Sequence, residues 1–98
     1  MTIQQNKDGS KLTFALEGRL DTTTAPQLEK ELRQAVEGVT DLVFDLSSLE
    51  YISSAGLRVL LAAQKIMNKQ GEMVIRHAGE SILEIFDVTG FSDILNIE

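Results

Sequence analysis

The chain has 98 residues, 43% of them apolar, which suffices for one hydrophobic core and leaves no room for two, so residues 1–98 are expected to form one domain. Nine Lys and Arg stand against fifteen Asp and Glu, a formal net charge of -6 that argues against binding nucleic acid or an anionic membrane surface, since both need clustered cations. There is no cysteine for a disulfide or thiolate metal site and no N-terminal apolar run that would read as a leader or membrane span, so a cytoplasmic location is expected.

Asp8-Gly9 is a hairpin signal, which makes residues 2–7 an edge strand. Beyond it, Leu12, Phe14 and Leu16 alternate with Thr13, Ala15 and Glu17, the period of a strand with one buried face. Thr24 and Gln27 have the spacing of a capping box, with Pro26 tolerated in the first turn; Leu28, Leu32 and Val36 then mark one helical face, ended by Gly38. Leu42-Val43-Phe44 with Leu46 reads as a central strand covered on both faces or nearly so, followed by a loop over residues 47–53. A second helix is predicted from Ser54 to Gln70, stopped by Gly71, then a strand over Glu72–Arg76 and a third helix built on Ile82, Ile85 and Phe86 and closed by Gly90. Ile94, Leu95 and Ile97 fit a last edge strand or a short helix.

Strands alternating with helices through short connections imply parallel strands joined by right-handed crossovers. The segments that follow Leu20 and Leu46 then leave the sheet at the same edge, which brings Asp21 towards Ser54.

Ser54 would offer its hydroxyl at a helix N-terminus, where unpaired amides and the macrodipole favour added negative charge, so a phosphoserine could be held there. Serine is equally a good N-cap and needs no further role, while Ser53 could cap instead and leave Ser54 free. Gly56, just inside the helix, has a cost in propensity that calls for close helix–strand contact or for an approaching partner. Asp21 is read either as a turn or capping aspartate or as a polar neighbour orienting Ser54.

The second helix is apolar around much of its circumference, with Arg58, Gln64, Lys65, Asn68 and Lys69 as its polar strip, so it is either deeply packed or partly partner-facing. Asp45 reads as a satisfied polar residue of the loop edge. His77 stands alone, without the second histidine or cysteine that a metal site or nucleophilic triad would need, and Met67 and Met73 read as core filling. No glycine-rich phosphate loop or nucleophile-elbow pattern is present, so no catalytic residue, metal or cofactor is expected.

The segments GRLDTTTAPQLE at 18–29, LVFDLSSLEYISSAGLRVLL at 42–61 and GFSDIL at 90–95 together make the chain resemble the STAS domain family, and within it the bacterial anti-sigma factor antagonists. The resemblance implies an α/β domain with a mixed four- to five-stranded sheet and helices mainly on one face. It also implies a regulator phosphorylated on the serine that precedes x-Gly-Leu, which maps to Ser54, with Asp21 as its neighbour. Many such antagonists carry an aspartate just before that serine. Here the position is Ser53, which becomes a secondary candidate for modification. The implied partners are an anti-sigma factor that is also a serine kinase, and a phosphatase, docking around Ser53, Ala55, Gly56 and Arg58. The alternative is an adaptor subunit of a transport or sensory complex that does not switch, and a third reading has the helix N-terminus binding a small anion or nucleotide.

Overall fold

A computed structural model describes residues 1–98 and arranges them as a four-stranded sheet in the order β1-β2-β3-β4. β1 (Thr2–Asp8) and β2 (Lys11–Leu20) form the expected hairpin around Gly9 and Ser10, with Asp8 opposite Lys11. β3 (Asp41–Ile52) and β4 (Glu72–Arg76) are parallel to β2 and to β3 respectively, so the sheet is mixed. The connections are α1 (Ala25–Ala35) and α2 (Ser54–Gln70), and α3 (Glu80–Thr89) follows β4, closed by Gly90 in the left-handed region.

All three helices lie on one face of the sheet. Leu12, Phe14 and Leu16 of β2, Leu42, Phe44 and Leu46 of β3, and Met73 and Ile75 of β4 share one core with Leu28 and Leu32 of α1, Leu60 and Met67 of α2, and Ile82 and Phe86 of α3. The rings of Phe14 and Phe44, paired across β2 and β3, stack with centroids 5.5 Å apart. Val43 points to the other face and stays outside this core, although it is only 6% exposed. Its cross-strand neighbours Thr13 and Val74 shield it, so the apolar run does not mark a strand sandwiched between two layers.

β3 also runs through residues 47–52, where a loop was expected. Glu17 pairs with Ser48 and Leu20 with Ile52, after two register shifts that leave β3 one residue longer each time. The buried residues in that stretch are Leu46, Leu49 and Ile52, three apart instead of two, because each bulge inserts a residue and resets which face the next side chain takes. Asp45 serves the first bulge, its Oδ1 accepting the Ser47 amide at 3.0 Å. Gly18, at the second shift, has φ of 99°, a conformation that L side chains rarely adopt.

Past α3, a single 3-10 turn (Phe91–Asp93) leads to a parallel bridge between Ile97 and Ile75, in which the Ile75 amide donates to Asn96 O and the Glu98 amide to Ile75 O. Of the residues expected to form a last strand or short helix, only Ile97 pairs, through one bridge; the short helix ends before Ile94, and Leu95 lies in the bend between.

Candidate functional site

The site lies beyond the C-terminal ends of β2 and β3. The Ser53 amide donates to Leu20 O at 2.9 Å, which ties the start of α2 to the end of β2 and sets Asp21, the next residue, beside it. Ser53 is the N-cap, with extended backbone (φ -97°, ψ 175°) and an Oγ that accepts the Gly56 amide at 3.4 Å. The Leu57 amide donates to Ser53 O, the first bond of the helix proper. The amides of Ser54 and Ala55 are thus left without an intrahelical acceptor, at the positive end of the helix dipole.

Ser54 is the first residue of α2 and is exposed, and its hydroxyl enters no hydrogen bond within the chain. Ala55 and Ser53 are half-buried and Arg58 is exposed. Gly56 is buried. A Cβ there would sit 2.7 Å from Leu20 Cγ and 2.9 Å from Ile52 Cγ1, so its missing side chain is explained by close helix–strand packing and not by an approaching partner. Gly56 accordingly presents no side-chain position to a partner.

Asp21 is occupied by its own turn. Its Oδ1 accepts the Thr23 amide at 3.0 Å and the Thr24 amide at 3.2 Å, and its carbonyl accepts the Ala25 amide at 2.8 Å. The Thr24 amide above all, with the Thr23 amide and the charge of Arg19 adding, holds the Asp21 carboxyl below its ordinary pKa against an opposing effect of desolvation. The expected capping box at Thr24 and Gln27 does not form. Thr24 has αR backbone, and its hydroxyl instead donates to Arg19 O at 2.8 Å and accepts from the Asp21 amide, while Gln27 reaches Glu31. Asp21 caps the turn that leads into the helix, and the Gln27 amide, which a threonine cap would have taken, goes to Thr24 O at 3.1 Å. Arg19, 3.9 Å from Asp21 Oδ2, also lies over the Tyr51 ring at 4.2 Å, a cation–π contact at the same sheet edge that the sequence did not reveal because the β3 bulges bring Tyr51 opposite Arg19.

Between the starts of α1 and α2 is an open groove of about 300 Å³, lined by Thr22, Ala25, Pro26, Glu29, Ala55, Arg58 and Val59. His77 is exposed and lies 3.3 Å from Asp45 Oδ1, at the sheet end. The Asp45 carboxyl is held below its ordinary pKa, first by the Ser47 amide and further by His77, with desolvation opposing. No group of three or more His, Asp and Glu is gathered closely enough to hold a metal ion, and no helix is long and apolar enough to cross a membrane.

The mixed sheet with its helices on one face fits the fold that the resemblance implied. The family model described as STAS domain matches residues 2–98, and the chain belongs to that family. Among its relatives, the candidate anti-sigma factor antagonist BtrV of Bordetella bronchiseptica is 38% identical over 99 residues, covering 99% of this chain and 85% of that protein. The anti-sigma-B factor antagonist of Bacillus subtilis is 31% identical over 96 residues, covering 97% of this chain and 86% of that protein. The crystal structure of an anti-sigma factor antagonist from Mycobacterium paratuberculosis superposes with a TM-score of 0.88 at 25% identity, over 98% of this chain and 83% of that one.

Proposed function

We propose that this chain is an anti-sigma factor antagonist that exchanges partners through reversible phosphorylation of Ser54. The observation that carries the reading is the division between the adjacent serines: Ser53 is committed to capping α2, whereas Ser54 is exposed with its hydroxyl unengaged. The relatives named as anti-sigma factor antagonists supply the class of partner, an anti-sigma factor, here taken to be also the serine kinase, with a phosphatase reversing its action. Ser53, Ala55 and Arg58 are the residues beside Ser54 that such a partner would meet.

Esterification adds a charge of about -1.5 to -2 at pH 7. One like charge about 6 Å away, at an effective dielectric near 20, costs roughly 3 kcal/mol, on the order of a hundredfold in affinity. The helix N-terminus tolerates the phosphate itself, so the docking surface changes while the fold stays.

The test is phosphosite mapping by mass spectrometry after incubation with ATP and a candidate anti-sigma factor kinase from the source cell, on the unaltered protein, Ser54→Ala and Ser53→Ala. Modification of the first and third but not of Ser54→Ala is expected. Full modification of Ser54→Ala with none on Ser53→Ala would overturn the assignment. A phosphate at Ser54 that leaves the affinity for the anti-sigma factor unchanged would instead favour the adaptor that does not switch.

A further inference from the structure

We infer that Arg58 is the residue that registers the modification: a phosphate on Ser54 draws the Arg58 guanidinium onto itself and so withdraws the cation from the neighbouring groove. The inference rests on the phosphorylation reading above and adds how that charge is converted into a changed surface.

Ser54 opens α2 and Arg58 follows four residues later, so the two side chains lie one above the other on the same helix face. An acid placed N-terminal to a base at this spacing is the favoured orientation. Both residues are exposed, so neither must leave a packed position to meet the other. Arg58 is also uncommitted. The ion pairs of the chain are Arg19–Asp21, Arg76–Glu98 and His77–Asp45, and no side-chain hydrogen bond involves Arg58.

Arg58 is the one cation lining the groove between the starts of α1 and α2, and Glu29 the one acid. Before modification these two charges balance, and the guanidinium is free to meet an acidic group of a docking partner. Afterwards the phosphate brings about -1.5 to -2, and the guanidinium, whose planar fork matches two phosphate oxygens, is held against it. Glu29 is left as the uncompensated charge of the groove. Charge is thereby both added at Ser54 and removed from the groove, with no backbone movement.

The test uses full-length protein carrying phosphoserine installed at position 54 during translation, with Arg58 intact, as Arg58→Gln and as Arg58→Lys. Phosphorus NMR follows the second ionisation of the phosphate. The helix amides act equally in all three proteins, so any difference isolates residue 58. The pKa is expected to be lower by about 0.15 to 0.4 with Arg58 than with Gln, with Lys recovering part of the difference, and the Arg58 Nε–H resonance is expected to shift on phosphorylation. Coincident titrations of the Arg58 and Arg58→Gln proteins, with an unmoved resonance, would overturn the inference. Thermal melts followed by circular dichroism establish that each variant is folded. Because the phosphate is installed synthetically, a kinase that ignores Ser54 would refute the proposed function and leave this result standing.

Discussion

Gly56→Ala separates two reasons for a glycine beside the candidate serine, close packing and access for a partner. An alanine gains at most about 1 kcal/mol of helix propensity, and less in a first turn. Against that, the new Cβ would lie 2.7 Å from Leu20 Cγ, 2.9 Å from Ile52 Cγ1 and 3.0 Å from Leu20 Cδ2. Leu20 is fully buried and Ile52 is 2% exposed, so neither has free space to rotate into. The nearest atom is the branch point of Leu20, which cannot retreat without carrying both methyls into the core. Overpacking of this kind costs about 1–3 kcal/mol, and the net expectation is a loss of about 1–2 kcal/mol. For a domain of this size each kcal/mol corresponds to about 4–8 °C in melting temperature. Urea unfolding followed by far-UV circular dichroism should show a lower midpoint with an unchanged slope. Adding Leu20→Ala, which removes the obstructing atoms, should make the second step cost less than it does in the unaltered protein, a favourable coupling in a double-mutant cycle. A melting temperature equal to or above that of the parent, or strict additivity in the cycle, would refute the packing account and return the glycine to a role in partner access.

Ser53→Asp should raise stability by about 0.3–1 kcal/mol, because a carboxylate at the N-cap both accepts the Gly56 amide and meets the positive end of the helix dipole; the gain should shrink in high salt, and a lower melting temperature would contradict the assignment of Ser53 as the cap. Asp45→Asn tests the bulge. With its folded pKa below the ordinary 3.8, Asp45 contributes stability that is fully present above the unfolded value of about 3.9 and is lost as pH falls through the lower folded value. Urea midpoints should therefore fall less steeply below about pH 4 in the variant than in the parent, and parallel curves would refute the contribution.

The elements with one clean period were legible from the residues. The alternation of Leu12, Phe14 and Leu16, the helical face of Leu28 and Leu32, the limits of α2 at Ser54 and Gln70 and those of β4 all emerge as the pattern implied. The second half of β3 was not, because its two bulges convert alternation into a spacing of three at Leu46, Leu49 and Ile52, which has the appearance of neither a strand nor a helix. The same bulges hid the Arg19–Tyr51 contact, a pairing that exists only in the shifted register. The start of α1 departs from the pattern for a different reason: Thr24 has the residue type and spacing of a cap, but Asp21, three residues earlier, opens a turn whose first amides its charged carboxylate accepts, and that turn draws the Thr24 hydroxyl back onto the Asp21 amide and Arg19 O. At the site, local sequence left open which serine caps α2. That choice depends on the Ser53 amide reaching Leu20 O, a contact between segments more than thirty residues apart.

This anchoring also constrains how a modification at Ser54 could act. Ser53 is fixed to β2 through its amide, Gly56 is wedged against Leu20 and Ile52, and α2 buries Leu57, Val59, Leu60, Ala63 and Met67 along its length. Shifting the helix start would break these contacts together, whereas the phosphate gains from the dipole and the open amides where they already stand. A rigid helix start therefore disfavours a message carried by refolding and favours one written in surface charge. Such a surface message should weaken in high salt, because exposed charges are screened within about 10 Å at 0.1 M, while a message sent through repacking would persist. The salt dependence of the affinity difference between phosphorylated and unmodified protein thus distinguishes the two: a difference unchanged from 0.1 to 1 M salt would show that the core, and not the surface, carries the switch.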